Sequence, residues 1–280
     1  MTKLDLGPVG VQVTPGDGQD FLAATGELEA LGYATIWLSG GPMKSLDQIA
    51  AVLDATGDSG VRVGSGIISV DRFDRAAVAA TYAELEAAHP GRFVLGLGGA
   101  HGPRPLRTLG RYLDELDSEP PTVPASARVM AALGPRMLQL AHDRAAGAFS
   151  FLVTPDYTAR ARSQLGDGTT LVVGQFVAVE PDPRRARELA RRGPLGFLTT
   201  APAYAANLGR MGFSEDEITQ LPDRLVDALV AWGDLDAIAA RVQAHLRAGA
   251  DQVTLSLLSA EEPGTLPLEP YRQLAKALIA

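Results

Sequence analysis

Short runs of continuous apolar residues alternate along the chain with longer segments in which apolar residues recur every three or four positions. The short runs lie at residues 8–13, 34–38, 61–68, 93–97, 128–133, 148–153, 169–179 and 253–258. Continuous apolar runs are typical of strands buried on both faces, and the periodic segments are typical of amphipathic helices. The pattern therefore predicts eight parallel strands, nearly all separated by a helix.

This alternation predicts an α/β fold of the (β/α)8 TIM-barrel class rather than a doubly wound sheet, because the crossover repeats to the end of the chain. A length of 280 residues suits one barrel with insertions, so we predict a single domain over residues 1–280.

Residues 194–232 interrupt the alternation of strands and helices, because helical pieces at 203–210, 215–219 and 223–231 follow one another without a strand between them. We predict an insertion after strand seven that either acts as a lid or only packs on the barrel or a partner.

Composition and charge exclude several classes of function. The 25 Lys and Arg residues against 33 Asp and Glu residues give a net charge of −8, which argues against nonspecific binding of nucleic acid or of an anionic membrane. The absence of cysteine excludes disulfides and a cysteine nucleophile, and the four histidines have no metal-ligand spacing, so we expect no protein-held metal. Without a signal peptide or a transmembrane run, we expect a soluble cytoplasmic protein.

The segment from Asp74 to Gly102 is the strongest candidate for a binding site. Asp74 stands where the N-cap of a helix is expected, and the helix stops at residues 89–91, before a buried strand. Five of the twelve residues from Gly91 to Gly102 are glycine, which lacks the Cβ atom that would keep a flat ligand away from the backbone. His101 follows the strand at its carboxyl end, where the ligands of α/β barrels bind.

Six segments follow one another in an order found in a known family. They lie at 28–41, 63–80, 89–101, 130–162, 207–218 and 231–258, and GRFVLGLG at 91–98 is the most specific part. Together they resemble the bacterial luciferase-like monooxygenase superfamily, and within it the coenzyme F420-dependent oxidoreductases of actinobacteria. The resemblance implies F420 as the cofactor and hydride transfer to or from a small organic substrate. It leaves open an FMN-dependent monooxygenase, or a flavin- or deazaflavin-binding protein without turnover.

The resemblance also implies a cofactor ring site at the carboxyl ends of the strands. Family members often carry a bulge with a non-proline cis peptide after strand three, which corresponds here to residues 67–70. The residues expected to line the ring are Gly66, Ile68, Ser69, Val70, Gly98, Gly99 and Ala100, with Gly64 and Gly96 extending the glycine wall. His101 could donate to the ring or shuttle a proton to substrate, so it is the predicted catalytic residue.

The cofactor's phosphate is expected at a helix N-terminus, where backbone N–H groups bind anions. Two places qualify: Gly134 with Arg136 after strand five, and Thr154 with Pro155 after strand six. Further arginines could supply positive charge for this phosphate or for the acidic tail of F420: Arg104, Arg107, Arg160 and Arg162.

This chain departs from the family's dehydrogenases in two places. It has Ser39, Gly40 and Gly41 where those relatives place a histidine or an acidic residue after strand two, and Gly99 with Ala100 where some place a glutamate. The sequence therefore lacks, at these two places, the side chains that those relatives use for alcohol oxidation. This favours reduction, or another hydride transfer in which the cofactor carries most of the chemistry.

Two further expectations concern partners and alternative chemistry. Relatives commonly form dimers, so a homodimer is expected, with the helices at 45–55 and 74–88 as candidate interface faces. A Schiff-base aldolase is disfavoured, because Lys44 is the only lysine near the mouth of a predicted strand.

Overall fold

The computed structural model describes residues 3–57, 60–259 and 266–279, in which strands and helices alternate. The strands are β1 (Val9–Val13), β2 (Thr35–Ser39), β3 (Arg62–Gly66), β4 (Ile68–Ser69), β5 (Phe93–Gly98), β6 (Arg128–Ala131), β7 (Gly147–Phe151), β8 (Thr170–Val179), β9 (Val230–Gly233) and β10 (Gln252–Leu257). The helices are α1 (Gln19–Ala30), α2 (Asp47–Ala55), α3 (Arg75–Ala88), α4 (Pro105–Ser118), α5 (Pro135–Arg144), α6 (Pro155–Leu165), α7 (Pro183–Arg192), α8 (Pro194–Thr200), α9 (Pro202–Arg210), α10 (Glu215–Gln220), α11 (Asp223–Leu229), α12 (Leu235–Arg247) and α13 (Leu268–Leu278). None of these helices is both long enough and apolar enough to cross a membrane.

Eight of the strands close into a parallel barrel. The ladder runs from β1 through β2, β3, β5, β6, β7 and β8 to β10, and β10 pairs with β1 again. The short strand β4 follows β3 and pairs with β5, and β9 pairs with the carboxyl half of β8. The predicted TIM barrel is confirmed, because each of the eight predicted strand segments contributes a strand to this closed ladder.

The insertion after β8 differs from its prediction in two respects. Helix α8 occupies its first residues, and the predicted helix at 223–231 ends at Leu229 because Val230 begins strand β9. Leu225, Val226, Leu229 and Val230 keep a helical spacing across this boundary, so periodicity alone does not separate the helix from the strand. The strand exists because Val230 pairs with Phe176 of β8.

Inward-facing and outward-facing strand residues form two apolar cores. The outward-facing residues pack against the surrounding helices, whereas inside the barrel the rings of Trp37 and Phe149 meet edge to face with centroids 5.1 Å apart. The fully buried Trp37 is a core residue, as predicted. The interior core continues through Phe151 and Phe176 to insertion side chains such as Leu208. The insertion therefore packs on the barrel and covers the carboxyl ends of β7 and β8.

Helix starts follow local sequence signals. The Asp74 carboxylate accepts a hydrogen bond from the Ala76 N–H over 3.2 Å, which is the predicted N-cap of α3. Pro135 is the first residue of α5, where its missing N–H has no intrahelical partner to lose. The loops that carry the candidate site are thus fixed at their helical ends.

A buried histidine connects helices α12 and α6 to strand β8. His245 on α12 is fully buried, with Nδ1 2.8 Å from Thr158 Oγ1 and Nε2 3.0 Å from Gln175 Oε1. The Gln175 amide donates to the carbonyl oxygen of Leu229 over 2.8 Å. Burial, assisted by the charge of Arg241, lowers the pKa of His245 to about 4. The folded protein therefore holds this ring neutral at pH 7.

We expect His245 to make the fold acid-sensitive. The unfolded chain binds a proton at this residue near pH 6.5 and the folded chain only near pH 4, so stability is lost as the pH falls through this range. The loss is about 2 kcal/mol at about pH 5. His245→Gln keeps hydrogen-bonding groups but does not titrate, so urea denaturation at about pH 7.5 and pH 5 should give a smaller difference for the variant. An unchanged difference would refute the assignment.

Candidate functional site

The backbone after β3 forms a bulge at the carboxyl end of the barrel. The peptide bond between Gly66 and Ile67 is cis, and strand pairing resumes in β4. The Gly40 N–H donates to the Gly66 carbonyl over 3.2 Å, and the Val70 N–H donates to the Gly98 carbonyl over 2.9 Å. The non-proline cis peptide that the family resemblance implies after strand three is therefore present, between β2 on one side and β5 on the other.

The side chain of Ile67 lies on the inner face of β5. A Cβ atom at Gly98 would lie 3.0 Å from Ile67 Cδ1 and 2.7 Å from Ala131 Cβ, and a Cβ atom at Gly96 would lie 1.9 Å from the Ser65 carbonyl oxygen. Glycine is required at Gly96 because β3 approaches β5 so closely, and at Gly98 because Ile67 and Ala131 occupy the space of a side chain. A flat ligand in the mouth would thus meet Ile67 rather than the bare glycine backbone expected from the sequence.

The other predicted wall residues take different positions. A Cβ atom at Gly64 would lie 2.3 Å from the indole of Trp37, so this glycine accommodates a core side chain rather than a ligand. Ile68 is buried in the outer core. Ser69 Oγ donates to the carbonyl oxygen of Gly99 over 3.1 Å and ties the bulge to the end of β5.

The glycines after β2 are explained by the bulge. A Cβ atom at Gly40 would lie 1.7 Å from the Ile67 carbonyl oxygen, so no larger residue fits. The Arg72 guanidinium donates to the carbonyl oxygens of Gly40, Gly41 and Met43 over 3.0, 2.8 and 2.7 Å. The loop that carries a histidine or an acidic residue in the family's dehydrogenases is here a glycine loop held by one arginine.

His101, the predicted catalytic residue, lies beside half-buried Ala100 and is paired with Asp71. The Asp71 Oδ2 atom accepts from the His101 backbone N–H over 2.7 Å and lies 3.1 Å from Nδ1. A carboxylate at Nδ1 favours a proton on that nitrogen and leaves Nε2 for a ligand. The His101 side chain is 75% exposed, so Nε2 is open to exchange a proton with a molecule at the rim.

A cavity of about 300 Å³ lies between α5, α6 and α9. It is lined by Leu133, Pro135, Leu138, Tyr157, Arg160, Ala161, Gln164, Asn207 and Arg210. Gly134 is the N-cap of α5 and offers no side-chain cap, whereas Thr154 caps α6 by accepting from the Tyr157 N–H over 3.3 Å. The predicted phosphate residues Gly134, Arg136, Thr154 and Pro155 thus belong to the starts of the two helices that flank this cavity.

The arginines predicted near the mouth divide into two groups. Arg162 is not available, because it donates to the carbonyl oxygens of Gly249 and Thr169 over 2.8 Å and pairs with Asp251. Arg160 lines the cavity together with Arg210 from the insertion, and neither forms an ion pair with a carboxylate in the described ranges. The cavity therefore carries positive charge without a neutralising acidic partner.

Tyr157 lines this cavity, and its hydroxyl is a neutral hydrogen-bond donor. Burial raises its pKa to about 12, against the opposing effect of the nearby Arg210 and Arg160 charges. Its hydroxyl donates to the Leu133 carbonyl oxygen over 2.7 Å. This bond joins the loop after β6 to α6 and fixes the cavity's inner edge.

Sequence reasoning missed four contributors to these sites: Asp71, Arg72, Asn207 and Arg210. Asn207 and Arg210 lie three residues apart in a predicted helix, a spacing that puts two side chains on one face. That signal indicates a shared polar face but not what it meets. Among the described residues, no group of three or more His, Asp or Glu side chains could hold a metal ion.

Comparisons with known proteins agree with the resemblance inferred from the sequence. Residues 6–118 match the family model for luciferase-like monooxygenases. A search of curated proteins finds no significant match. The family resemblance is thus confirmed for the first part of the chain, which includes the bulge and β5.

Solved structures agree in fold over nearly the whole chain. A coenzyme F420-dependent tetrahydromethanopterin reductase from Methanopyrus kandleri superposes with a TM-score of 0.73 and 16% identity, covering 97% of this chain and 98% of that chain. An F420-dependent secondary alcohol dehydrogenase has a TM-score of 0.72 and 14% identity, covering 99% and 98%. The oxygenating constituent of the FMN-bound 3,6-diketocamphane monooxygenase from Pseudomonas putida has a TM-score of 0.65 and 13% identity, covering 96% of each chain.

Proposed function

We propose that this chain, whose residues 6–118 match the luciferase-like monooxygenase family, is an oxidoreductase that transfers hydride between coenzyme F420 and a small organic substrate. The proposal rests on the structure at the carboxyl ends of the barrel strands. The bulge brings Ile67 over β5 and is held from both sides by backbone hydrogen bonds. A preorganised apolar side chain at the strand ends suits one face of a flat ring.

The residues present fit a phosphate-bearing cofactor. The start of α5 has no side-chain cap, and the neighbouring cavity carries Arg160 and Arg210. The helix end and the two guanidinium groups would hold a phosphate, and Arg136 at the exposed start of α5 would add charge. The exposed Arg104 and Arg107 on the β5 side are the proposed contacts for the acidic tail.

When bound, F420 would supply a carbon that accepts or gives up hydride and reacts poorly with oxygen. The chain's own residues would position the cofactor ring and transfer a proton. Ile67 would fix the ring's orientation, and His101, oriented by Asp71, would give a proton to or take one from the substrate at Nε2. Because the loop after β2 presents Gly40 and Gly41, we propose reduction of an acceptor as the direction.

The alternative is an FMN-dependent monooxygenase. The matching family model is described as that of luciferase-like monooxygenases, and one of the similar structures contains FMN. We favour F420 because the two F420-dependent enzymes superpose better than the FMN-bound one, with TM-scores of 0.73 and 0.72 against 0.65.

The decisive experiment is equilibrium binding of F420 and FMN to the purified protein in parallel, followed by fluorescence quenching. We expect F420 to bind at least about tenfold more tightly, a difference of about 1.4 kcal/mol. Ile67→Ala should weaken F420 binding, with Ile67→Val as the conservative control. Tighter binding of FMN would favour the monooxygenase, and binding of neither cofactor would overturn the proposal in favour of a member without turnover.

We also propose that the protein is a homodimer. Helix α3 buries Val78 and Tyr82 against the barrel and exposes Ala76, Ala77 and Ala80, whose small side chains would let a second copy approach closely. Light scattering after size-exclusion chromatography should give twice the chain mass of 29.4 kDa. A mass of one chain would reject this proposal.

A further inference from the structure

The side chain of Gln12 on β1 crosses the inside of the barrel and contacts the bulge. Gln12 lies beside Trp37 of β2 in the strand register, so it faces the barrel interior. Its Nε2 atom donates a hydrogen bond to the Gly66 carbonyl oxygen over 3.1 Å. Because β2 lies between β1 and β3 in the ladder, this bond joins two strands that are not neighbours. Gln12 is therefore attached to the bulge from within the barrel.

The Gly66 carbonyl group connects this bond to the mouth. Its oxygen also accepts from the Gly40 N–H over 3.2 Å, so both of its lone pairs have a donor. The peptide group that contains this carbonyl is planar and ends at Ile67, whose side chain lies on the inner face of β5. The two donors, one from β1 and one from the loop after β2, thus set the plane from which Ile67 starts.

The other half of the Gln12 amide is poorly accommodated. The residue is 8% exposed, and its Oε1 atom is buried with no hydrogen-bond partner in the described part of the chain. A buried carbonyl oxygen without a donor is unfavourable, and an apolar side chain of similar size would avoid this cost. Turning the amide over would place Oε1 against the Gly66 carbonyl oxygen, which offers no proton. The observed orientation is therefore the one that serves the bulge.

We propose that Gln12 is a positioning residue, which fixes the bulge through the Gly66 carbonyl and so holds Ile67 in place before the cofactor ring arrives. A wall that is already ordered binds a ring more tightly than one that becomes ordered on binding. Ile67 as the ring contact rests on the function proposed above, whereas the attachment of the bulge to Gln12 does not. Loss of the amide should therefore weaken cofactor binding without weakening the fold.

Gln12→Met and Thr254→Val form a matched pair that tests this role. Thr254 on β10, the other neighbour of β1, also buries an oxygen that lacks a partner among the described residues. Each substitution removes such an oxygen, so neither should lower the urea midpoint of unfolding. We expect Gln12→Met to raise the dissociation constant of F420 at least about tenfold, and Thr254→Val to change it less than about twofold. Equal binding by the two variants, whether weakened or not, would overturn the proposal.

Hydrogen exchange, followed by NMR, tests the bulge without any cofactor. The Gly40 and Val70 amides donate to carbonyl oxygens on the two sides of the bulge. Both should exchange faster in Gln12→Met than in Thr254→Val, while the amides of α12 exchange equally in the two. Unchanged exchange of both bulge amides would overturn the proposal. Faster exchange, with neither F420 nor FMN bound by the unsubstituted protein, would confirm that Gln12 fixes the bulge but reject the proposed function.

Gln12→Glu gives a readout that a role in stability alone would not move. A protonated carboxyl group can donate to the Gly66 carbonyl oxygen, whereas a carboxylate cannot and repels it. Because burial raises the pKa of a carboxyl group, we expect this variant to bind F420 at least about tenfold more tightly at about pH 5.5 than at about pH 8. The unsubstituted protein should show a smaller change over the same range. Equal pH dependence of the two proteins would overturn the proposal.

The surroundings of residue 12 make this comparison specific. The inward-facing neighbours on β2 and β10 do not ionise in this range: Trp37, Ser39, Thr254 and Ser256. The charged or titratable groups of the nearby rim are Asp71, Arg72 and His101. The unsubstituted protein carries all three, so their titration cancels when the two proteins are compared.

Discussion

Gly40→Ala is expected to lower the free energy of unfolding by about 3 kcal/mol and to abolish cofactor binding. The added methyl group would lie 1.7 Å from the Ile67 carbonyl oxygen and 2.5 Å from its carbonyl carbon. These are backbone atoms that cannot rotate away, so the bulge must shift as a whole, and overpacking of this kind typically costs about 1–3 kcal/mol and occasionally more. Urea denaturation measures the stability, and titration with F420 and FMN measures the binding.

The neighbouring residue provides a matched control. A Cβ atom at Gly41 would meet nothing within 4 Å, so Gly41→Ala should have nearly the stability of the unsubstituted protein. Both substitutions add the same methyl group to the same loop. If Gly40→Ala were as stable as Gly41→Ala, the close approach of the bulge to the β2 loop would be wrong.

His101→Ala is expected to lower kcat/KM by about 100-fold or more for the hydride acceptor, if the proposed function holds. Proton transfer by a positioned side chain contributes about 10²–10⁴ in rate, and the His101 ring is held by Asp71 with Nε2 free. Binding of the cofactor should change little, because His101 lies at the exposed rim. Steady-state rates, followed through the absorbance of the cofactor over a range of pH, give the measurement.

Asp71→Asn separates the positioning of His101 from the stability of the fold. The amide keeps the shape of the carboxylate but loses its charge, so kcat/KM should fall less than in His101→Ala. His89→Ala is the control, because His89 forms a similar pair with Asp54 over 2.8 Å at the end of α3. A rate loss in His89→Ala equal to that in His101→Ala would contradict a specific role for His101.

The barrel could be predicted from the sequence because its signals are local. Strands buried on both faces must be continuously apolar, and residues such as Asp74 and Pro135 mark helix starts by their own chemistry. The strand β9 shows the limit of this approach. It is four residues long and depends on pairing with β8, more than fifty residues away, so no local pattern distinguishes it from the end of α11.

The candidate site could be predicted only in outline. The family resemblance located the cis peptide, and the glycine content marked the end of β5. The contacts that define the site join distant residues: Arg72 reaches carbonyl oxygens about thirty positions earlier, and Arg210 reaches the start of α5. Gly40 illustrates the difficulty. A larger residue is excluded at this position by the backbone of Ile67, which lies outside the loop that contains Gly40.

Because β9 pairs with β8, the insertion begins and ends at neighbouring strands and can be replaced as a unit. The chain leaves the barrel at Val179 and returns at Val230, which lies beside Phe176 of the same strand β8. Both attachment points sit on neighbouring strands, so a flexible stretch added between them would cost only about 0.6 kcal/mol of closure entropy for each doubling of its length. The segment between them can therefore become longer or shorter or be replaced, while the eight-stranded barrel remains as it is.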